Sequence, residues 1–314
     1  MKIGMLFPDF GSQFVGMGKD LYDESRLVQE YFEEAYNCLS INFVKLCFAS
    51  SDAELSSLEN AYVAIFLTSV SLAALIKQEG IPIDIVAGYG IGEFSAACAA
   101  DGISLPDGLY FLQKYALFYK ELLPQLNVRA FLVKGVSALQ LKRFCAELSK
   151  GDLSISIGAY NNDYEHVVTG STELIAALEQ KVHQKNGVMH EVSVDGGLHS
   201  SLMDPVVTTL EKYSLKIDFK NSSIPLIAGT NGAVVSKGEL IKRRIMKQVH
   251  APILWKKVLQ HCIDWDIIVE IGPGKTLTSL IRHMYPDKPI ITINNRADIE
   301  SLKKLVADMM LTTI

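Results

Sequence analysis

The chain is organised around the segment Ile83-Asp84-Ile85-Val86-Ala87-Gly88-Tyr89-Gly90-Ile91-Gly92-Glu93-Phe94-Ser95-Ala96-Ala97. Its first part predicts a buried apolar strand, its glycines a tight turn, and its small residues a helix. This is the layout of a nucleophile elbow, in which the serine of a G-x-S-x-G motif is raised above a sheet by a sharp turn. Gly90 stands at the tip of the turn, so this elbow carries no nucleophile.

Composition places the chain among ordinary globular proteins. It has 314 residues, of which 49% are hydrophobic and 21% charged, and a formal net charge of −5. This length allows one large core or a main domain with a smaller insert. The acidic balance argues against bulk nucleic-acid binding, although a local basic patch is compatible with it.

Cysteine spacing and hydropathy indicate no metal site, disulfide framework or membrane span. No two of the five cysteines form a CxxC pair: Cys38, Cys47, Cys98, Cys145 and Cys262. No apolar run reaches the eighteen or so residues that a membrane span needs. The apolar start of the chain is broken by Pro8 and is too short for a signal peptide. We therefore expect a cytoplasmic, reducing setting.

Strands alternate with helices on both sides of a central segment. This order predicts a mostly parallel sheet that is covered on both faces. The clearest predicted elements are strands over Lys2–Phe7, Ser223–Ala228, Ile267–Ile271 and Pro289–Ile293, and helices over Ala61–Gln78, Asp107–Leu123, His199–Leu215, Lys237–Lys247, Thr276–His283 and Ile299–Met310.

The central segment has a different pattern and predicts a small inserted domain. Its predicted elements are Arg129–Val136, Ser137–Ser149, Leu153–Tyr160, His166–Gly170, Thr172–Gln184 and Val188–Val194. The order β-α-β-β-α-β is that of a ferredoxin-like unit. We predict that residues 127–194 form this unit, and that residues 1–126 and 195–314 form the larger domain.

Five ordered motifs give the whole chain a specific resemblance to a known family. They resemble the family's FPGQGSQ-x-x-GMG, GHSLGE, FHSPLM, NPVRW and EVGPGKVL segments, and they lie here at Phe7–Gly18, Gly88–Glu93, Leu198–Met203, Ala251–Trp255 and Glu270–Leu277. On these motifs the chain resembles the malonyl-CoA:acyl-carrier-protein transacylases, which include the acyltransferases of polyketide synthases.

The resemblance implies an α/β-hydrolase-like large domain with the ferredoxin-like insert. It also implies acyl transfer from coenzyme A to a serine, and then to the phosphopantetheine thiol of an acyl carrier protein or polyketide synthase module. No permanently bound cofactor is implied, and an acyl-CoA or carrier thioester is the implied ligand. Neither nucleic acid nor a membrane is implied as a partner.

Measured against the family, the site residues depart together. Gly90 replaces the serine and Tyr89 the histidine beside it, while Tyr115 aligns with the arginine that binds the malonyl carboxylate. Phe10 aligns with the glutamine near the oxyanion hole and Asp9 with the glycine before it, whereas His199 is retained as the base. Such joint changes favour natural divergence over an engineered knockout. We predict that the substrate site includes Phe10, Tyr89, Ile91, Tyr115, Leu198 and His250.

Two functions stay open after these changes. Glycine removes both the strain and the reactivity of the elbow serine, so ping-pong transfer through residue 90 is chemically impossible. The chain is then a carrier- or synthase-binding homologue. Alternatively, His199 activates a water or a thiol directly, and the chain is an acyl-thioester hydrolase or a transferase without a serine nucleophile. Ser12, Ser95, Cys98 and Tyr89 are substitutes for the nucleophile only if they lie near the elbow tip, and packing roles are favoured for all four.

The glycines of the elbow do not form a dinucleotide-binding motif. At Gly88-x-Gly90-x-Gly92 the spacing is wrong, because the third glycine of GxGxxG would be Glu93.

This acidic protein also has a local basic cluster. It is a candidate docking surface for an acidic carrier protein or the phosphates of coenzyme A. The cluster consists of Arg243, Arg244 and Lys247 together with Lys242, Lys256 and Lys257.

Overall fold

A computed structural model describes residues 1–192 and 196–312. The strands are β1 (Ile3–Phe7), β2 (Ile85–Gly88), β3 (Val128–Lys134), β4 (Ile155–Tyr160), β5 (Glu165–Ser171), β6 (Val188–Glu191), β7 (Leu226–Ile227), β8 (Val234–Val235), β9 (Ile267–Ile271) and β10 (Ile290–Ile293). The α-helices are α1 (Lys19–Glu24), α2 (Arg26–Leu39), α3 (Phe43–Ala49), α4 (Asp52–Leu55), α5 (Leu58–Gln78), α6 (Gly92–Ala99), α7 (Leu105–Leu122), α8 (Ala138–Leu148), α9 (Thr172–His183), α10 (Asp204–Ser214), α11 (Gly238–His250), α12 (Trp255–Gln260), α13 (Thr276–Met284) and α14 (Arg296–Thr312).

The larger sheet has six strands in the order β10-β9-β1-β2-β7-β8. All neighbouring strands are parallel except β7 and β8, which run antiparallel. Strands β1, β2 and β9 are buried along their whole length, as expected for strands that helices cover on both faces. In the β1–β2 pair Phe7 is opposite Gly88, so the loops that follow these two strands leave the sheet at the same edge.

Helix α5 forms the centre of the core beside this sheet. Among the described residues it is the one helix that is long and apolar enough to cross a membrane, and 83% of its most apolar window is buried inside the protein. It packs against α2 and α7. Its apolar surface is thus covered by the rest of the chain.

The smaller sheet has four antiparallel strands in the order β4-β5-β3-β6. Helices α8 and α9 pack together against it over a separate apolar core, which includes Val133, Leu141 and Leu178. This order is that of a ferredoxin-like unit, so the predicted fold class is confirmed. The boundaries at residues 127 and 194 stay a prediction, and the end of the predicted strand Val188–Val194 falls partly outside the described residues.

Strand β4 of the smaller sheet forms backbone hydrogen bonds to the larger domain. Its register shifts between Ile157 and Ala159, which is a β-bulge at Gly158. There the backbone pairs with Ile253: the Ile253 amide donates to the Gly158 carbonyl at 2.9 Å, and the Tyr160 amide donates to the Ile253 carbonyl at 2.8 Å. The bulge fixes one wall of the cavity described below.

Two predictions about single elements were wrong, and one short strand was not predicted. The helix predicted from His199 begins at Asp204 after a short 3-10 turn, because His199 has a left-handed backbone with φ +57°. The strand predicted over Ser223–Ala228 is limited to β7, since Pro225 cannot donate to a sheet. The short strand β8 was not predicted.

Candidate functional site

The elbow predicted from the sequence lies between β2 and α6. A Cβ on Gly88 would come within 1.9 Å of the Gly92 backbone, so these two glycines are required where strand and helix approach each other. Gly90, at the tip, has φ +53°. The Gly92 amide donates to the Tyr89 carbonyl at 2.8 Å and closes the turn.

The Asp9 side chain occupies the place where a residue with a side chain would stand at the elbow tip. A Cβ on Gly90 would lie 2.1–2.3 Å from the carboxylate atoms of Asp9, which real Cβ atoms do not tolerate. Asp9 directly follows Phe7 and Pro8 in the loop after β1, and this loop leaves the sheet beside the elbow. The carboxylate and a serine side chain at residue 90 therefore exclude each other in this arrangement.

The same carboxylate accepts a hydrogen bond from the backbone amide that follows the elbow tip. The Ile91 amide donates to Asp9 Oδ1 at 2.9 Å. Burial raises the pKa of Asp9 to about 6, while the amides of Ile91 and Phe10 oppose this rise because they favour the ionised form. In a nucleophile elbow, the amide after the nucleophile supplies the oxyanion hole. Here that amide already holds an anion.

His199 lies on the opposite side of the site and is held at two points by the end of α11. Its amide donates to the Val249 carbonyl at 3.2 Å, and its Nδ1 is 2.6 Å from the Gln248 carbonyl oxygen. A carbonyl can only accept, so Nδ1 carries the proton and Nε2 keeps its lone pair. Burial lowers the pKa of His199 to about 4, which keeps the ring neutral at pH 7.

Tyr89 connects the elbow to the smaller sheet. Its hydroxyl donates to Asn161 Oδ1 at 2.8 Å, and the Asn161 amide donates to Glu165 Oε1 at 3.3 Å. The ring packs edge-on against Trp255 at a centroid distance of 5.1 Å. Burial raises the pKa of Tyr89 well above its ordinary value, so the hydroxyl stays protonated and is a poor nucleophile.

These groups surround a cavity of about 250 Å³ between the elbow and the smaller sheet. Its lining residues come from both domains: Asp9, Phe10, Tyr89, Ala130, Leu132, Gly158, Ala159, Asn161, Glu165, Val167, Thr169, Val192, Leu198, His199, Thr276, Leu277 and Leu280. The last three belong to α13, whose first amides donate to the buried Glu270 carboxylate at 3.0 and 2.7 Å. That carboxylate fixes the α13 wall of the cavity.

The predicted site residues divide into three groups. Phe10, Tyr89, Leu198 and His199 line the cavity, and Gly90 and Ile91 are buried at its elbow side. Tyr115 is buried behind them against Tyr62, at a ring distance of 5.3 Å. His250 lines a neighbouring groove that it shares with His199, and its Nδ1 is 2.6 Å from Asp204.

The alternative nucleophiles have other surroundings. The Ser12 hydroxyl donates to the Asp9 carbonyl at 2.6 Å. Ser95 is buried inside α6, and burial raises the pKa of the Cys98 thiol to about 12. None of these three lines the cavity as described, which favours the structural roles expected for them.

Only some side chains of the basic cluster are exposed to solvent. Arg243 and Lys247 are exposed, whereas Lys242 and Arg244 are half-buried, and Lys242 Nζ donates to the Ser214 carbonyl at 3.0 Å. Lys256 is paired with Asp163. Arg243, Lys247 and His250 stand at positions i, i+4 and i+7 of α11, so they share one helix face that ends at the groove beside His199.

Asp9, Asn161 and Glu165 were missed as site residues by the sequence reasoning. A signal for Asp9 was present, because the opening motif at Phe7–Gly18 has a carboxylate in the same chain that has Gly90 at the elbow tip. Asn161 and Glu165 lie on the inserted unit, and no local motif marks them.

The amino-acid sequence of the chain matches a known protein family. The model of the acyl transferase domain matches residues 5–306. The malonyl CoA-acyl carrier protein transacylase of Bacillus subtilis (strain 168) is 29% identical over 304 residues, which is 95% of each chain.

Two solved structures share the fold. The malonyl CoA-acyl carrier protein transacylase of Clostridium perfringens has a TM-score of 0.94 at 22% identity and covers 100% of this chain and 99% of its own. A malonyl-transacylase in complex with a type II polyketide synthase acyl-carrier protein has a TM-score of 0.91 at 22% identity, over 96% of this chain and 98% of its own. Because the family model matches residues 5–306 of the 314, the chain belongs to the acyl transferase domain family.

Proposed function

We propose that this protein binds acyl carrier protein or a synthase partner in fatty-acid or polyketide assembly and does not carry an acyl group on residue 90. The observation that carries the proposal is the Asp9 carboxylate, which fills the space of a side chain at Gly90 and accepts the Ile91 amide. Acyl transfer through an elbow needs both a nucleophile and free amide donors for the developing oxyanion. This elbow has no nucleophile, and at least one of its donors is occupied.

The charge of the Asp9 carboxylate keeps it bonded to the Ile91 amide at neutral pH. With a pKa of about 6, Asp9 is mostly ionised at pH 7, and a carboxylate accepts an amide hydrogen bond more strongly than a thioester carbonyl does. A thioester carbonyl that enters the cavity would have to displace an anion from Ile91. The elbow is therefore closed to the usual tetrahedral intermediate.

The surface around His199 supports binding of a carrier. Arg243 and Lys247 form a positive helix face that leads to the groove beside His199, and acidic partners are steered by such faces. The neighbour in complex with a carrier protein shows that this fold presents a carrier-binding surface in at least one member. We assign the docking role here to Arg243 and Lys247, with Arg244 contributing less because it is half-buried.

Intact-mass spectrometry tests the proposal directly. The protein is incubated with a panel of acyl-CoAs and with holo and acylated carrier proteins, and the intact masses of this chain and of the carrier are then measured. We expect no acyl adduct on this chain, together with a carrier complex that is visible in a separate titration and weakens with salt. An adduct that peptide mapping places on the elbow, or the absence of any carrier complex, would contradict the proposal.

The geometry of His199 favours one second function, thioester hydrolysis. The neutral ring presents an unprotonated Nε2, which can take a proton from water as the water oxygen attacks the thioester carbonyl. The C–S bond then breaks, the thiolate takes up that proton, and the products are a carboxylic acid and a thiol. With a second carrier thiol in place of water, the same base gives direct transfer. Release or transfer of acyl groups that is abolished by His199→Ala would establish this second function.

A further inference from the structure

The cavity next to Asp9 has apolar walls of small and branched side chains. Ala130, Gly158 and Ala159 leave room on β3 and β4, and Leu132, Val167, Leu198, Leu277 and Leu280 complete the walls. The volume of about 250 Å³ is about eight times the space of one water in the liquid, enough for a short acyl chain and its thioester.

The charges that face the cavity are negative. Asp9 and Glu165 line it, and among the described lining residues there is no lysine or arginine. Glu165 is paired with Lys134 at 3.1 Å, whereas Asp9 has no ion-pair partner in the part of the chain that the structure describes. Asp9 is therefore the unbalanced charge of the cavity.

Tyr115 supplies no cation either. It is buried against Tyr62, and its pKa is raised by burial and by the nearby Asp9, so its side chain stays neutral. A carboxylate held in a half-buried site needs an opposite charge or several donors, and the amides near the elbow tip are directed at Asp9. A second carboxylate in this cavity would meet a like charge and no cation.

We propose that the cavity binds the acyl group of an uncharged, aliphatic thioester, and that Asp9 is the residue that excludes carboxylated acyl groups such as malonyl. The inference rests on the proposed function, because it names the acyl class that the same site holds. Asp9 acts through charge here, so its effect differs from that of a wall residue that acts through volume.

Binding of small ligands tests the inference without a carrier protein. Amide analogues of hexanoyl-pantetheine, malonyl-pantetheine and the malonyl methyl ester of pantetheine, which resist hydrolysis, are titrated calorimetrically at pH 7.5. We expect the hexanoyl and methyl-ester ligands to bind at least about tenfold more tightly than the malonyl ligand, because like charges in a desolvated site repel. The methyl ester has nearly the size of malonyl but no charge, so it separates charge from volume.

Two variants assign the effect to a residue. Asp9→Asn keeps the size of the side chain and is expected to tighten malonyl binding by about tenfold with little change for hexanoyl. Asp52→Asn on α4 is the matched control, since it makes the same exchange at an exposed carboxylate that does not line the cavity, and it should change either affinity less than about threefold. If a variant does not fold, the comparison of malonyl with its methyl ester in the unaltered protein still decides.

Malonyl binding that equals or exceeds that of the methyl ester would overturn the inference, and so would a failure of all three ligands to bind. An unchanged preference in a folded Asp9→Asn variant would overturn the role of Asp9. These outcomes differ from a failure of the proposed function, which would show as an acyl adduct on the elbow or as the absence of a carrier complex.

Discussion

The two sides of the cavity offer different chemistry. On the histidine side, His199 has its Nδ1 bonded to the Gln248 carbonyl, which leaves Nε2 free of a proton and able to accept one. On the elbow side, the residue at the tip is Gly90, and Asp9 from the neighbouring loop occupies the volume that a side chain at residue 90 would need. A side chain at residue 90 and the Asp9 carboxylate exclude each other, so the elbow side is filled by a carboxylate rather than left empty.

The variant with the largest expected effect has a serine at residue 90, and it is compared with and without Asp9. Gly90→Ser alone would place a side chain against the Asp9 carboxylate and leave the Ile91 amide occupied. Asp9→Gly combined with Gly90→Ser frees both, and His199 is in place as the base. We expect the double variant to acquire an acyl group from hexanoyl-CoA at least about 10² times faster than the single variant, which is the usual effect of one oxyanion donor.

Intact mass against time measures this effect, and Gly90→Ser with His199→Ala is the control for unspecific acylation. Equal acylation of the single and double variants would mean that Asp9 does not obstruct the elbow.

The second test measures the crowding at the elbow as stability. Gly90→Ala adds only a Cβ, but at φ +53° and within 2.1 Å of the Asp9 carboxylate. The left-handed backbone costs about 1–2 kcal/mol and the overlap about as much again, so we expect the free energy of unfolding to fall by about 3 kcal/mol. Urea denaturation measures it.

Gly80→Ala is the matched control for this substitution. Gly80 has φ +74°, yet no atom beyond its chain neighbours lies within 4 Å of the place of its Cβ, so only the backbone contribution of about 1–2 kcal/mol is expected. In an Asp9→Gly background, the cost of Gly90→Ala should decrease to that of the control. A cost that is independent of Asp9 would argue against the overlap.

The third test uses pH. The folded protein holds the Asp9 proton up to a pKa of about 6, whereas the ordinary value is 3.8. Between these values the folded state binds the extra proton, so this group makes stability fall as pH rises. Asp9→Asn removes that slope, and its stability relative to the unaltered protein should increase by about 2 kcal/mol from pH 4 to pH 7.

His199 contributes with the opposite sign. Its folded pKa of about 4 is below the ordinary 6.5, so the unfolded chain binds the extra proton and stability rises over this range. Because His199 is present in both proteins compared above, its contribution cancels in their difference. A difference that does not vary with pH would mean that the pKa of Asp9 is not raised.

The smallest expected effect concerns the carrier surface. Arg243→Glu with Lys247→Glu reverses two exposed charges on the face of α11 that leads to His199. Exposed charges contribute up to about 1 kcal/mol each, so we expect carrier affinity to weaken about tenfold at low salt and less at high salt. Fluorescence anisotropy of a labelled carrier measures it, with Lys304→Glu on α14 as the control. Unchanged affinity would remove the docking role from α11.

Regular patterning made most of the fold predictable. The buried strands β1, β2 and β9 and the long apolar α5 are marked by local sequence, and the β-α-β-β-α-β order marked the insert. The left-handed backbone at His199 could not be predicted, because it depends on hydrogen bonds to Gln248 and Val249, some fifty residues away in the chain.

The site was predictable only where one motif contains the residue. Gly90, Tyr89 and His199 follow from their motifs, and the structure brings the elbow and the histidine to one cavity. The role of Asp9 depends on the β1–β2 register, which places the loop after Phe7 beside the elbow. Asn161 and Glu165 reach the site only because the insert folds back over it.

An NMR pH titration of the Ile91 amide reports directly on whether the Asp9 carboxylate occupies the elbow. If the Asp9 carboxylate holds this amide at 2.9 Å, the amide resonance should titrate with a midpoint of about 6, the pKa of Asp9. The titration should vanish in Asp9→Asn. An Ile91 resonance that stays constant between pH 4 and pH 8, or that titrates equally in the variant, would contradict the claim that Asp9 occupies the elbow.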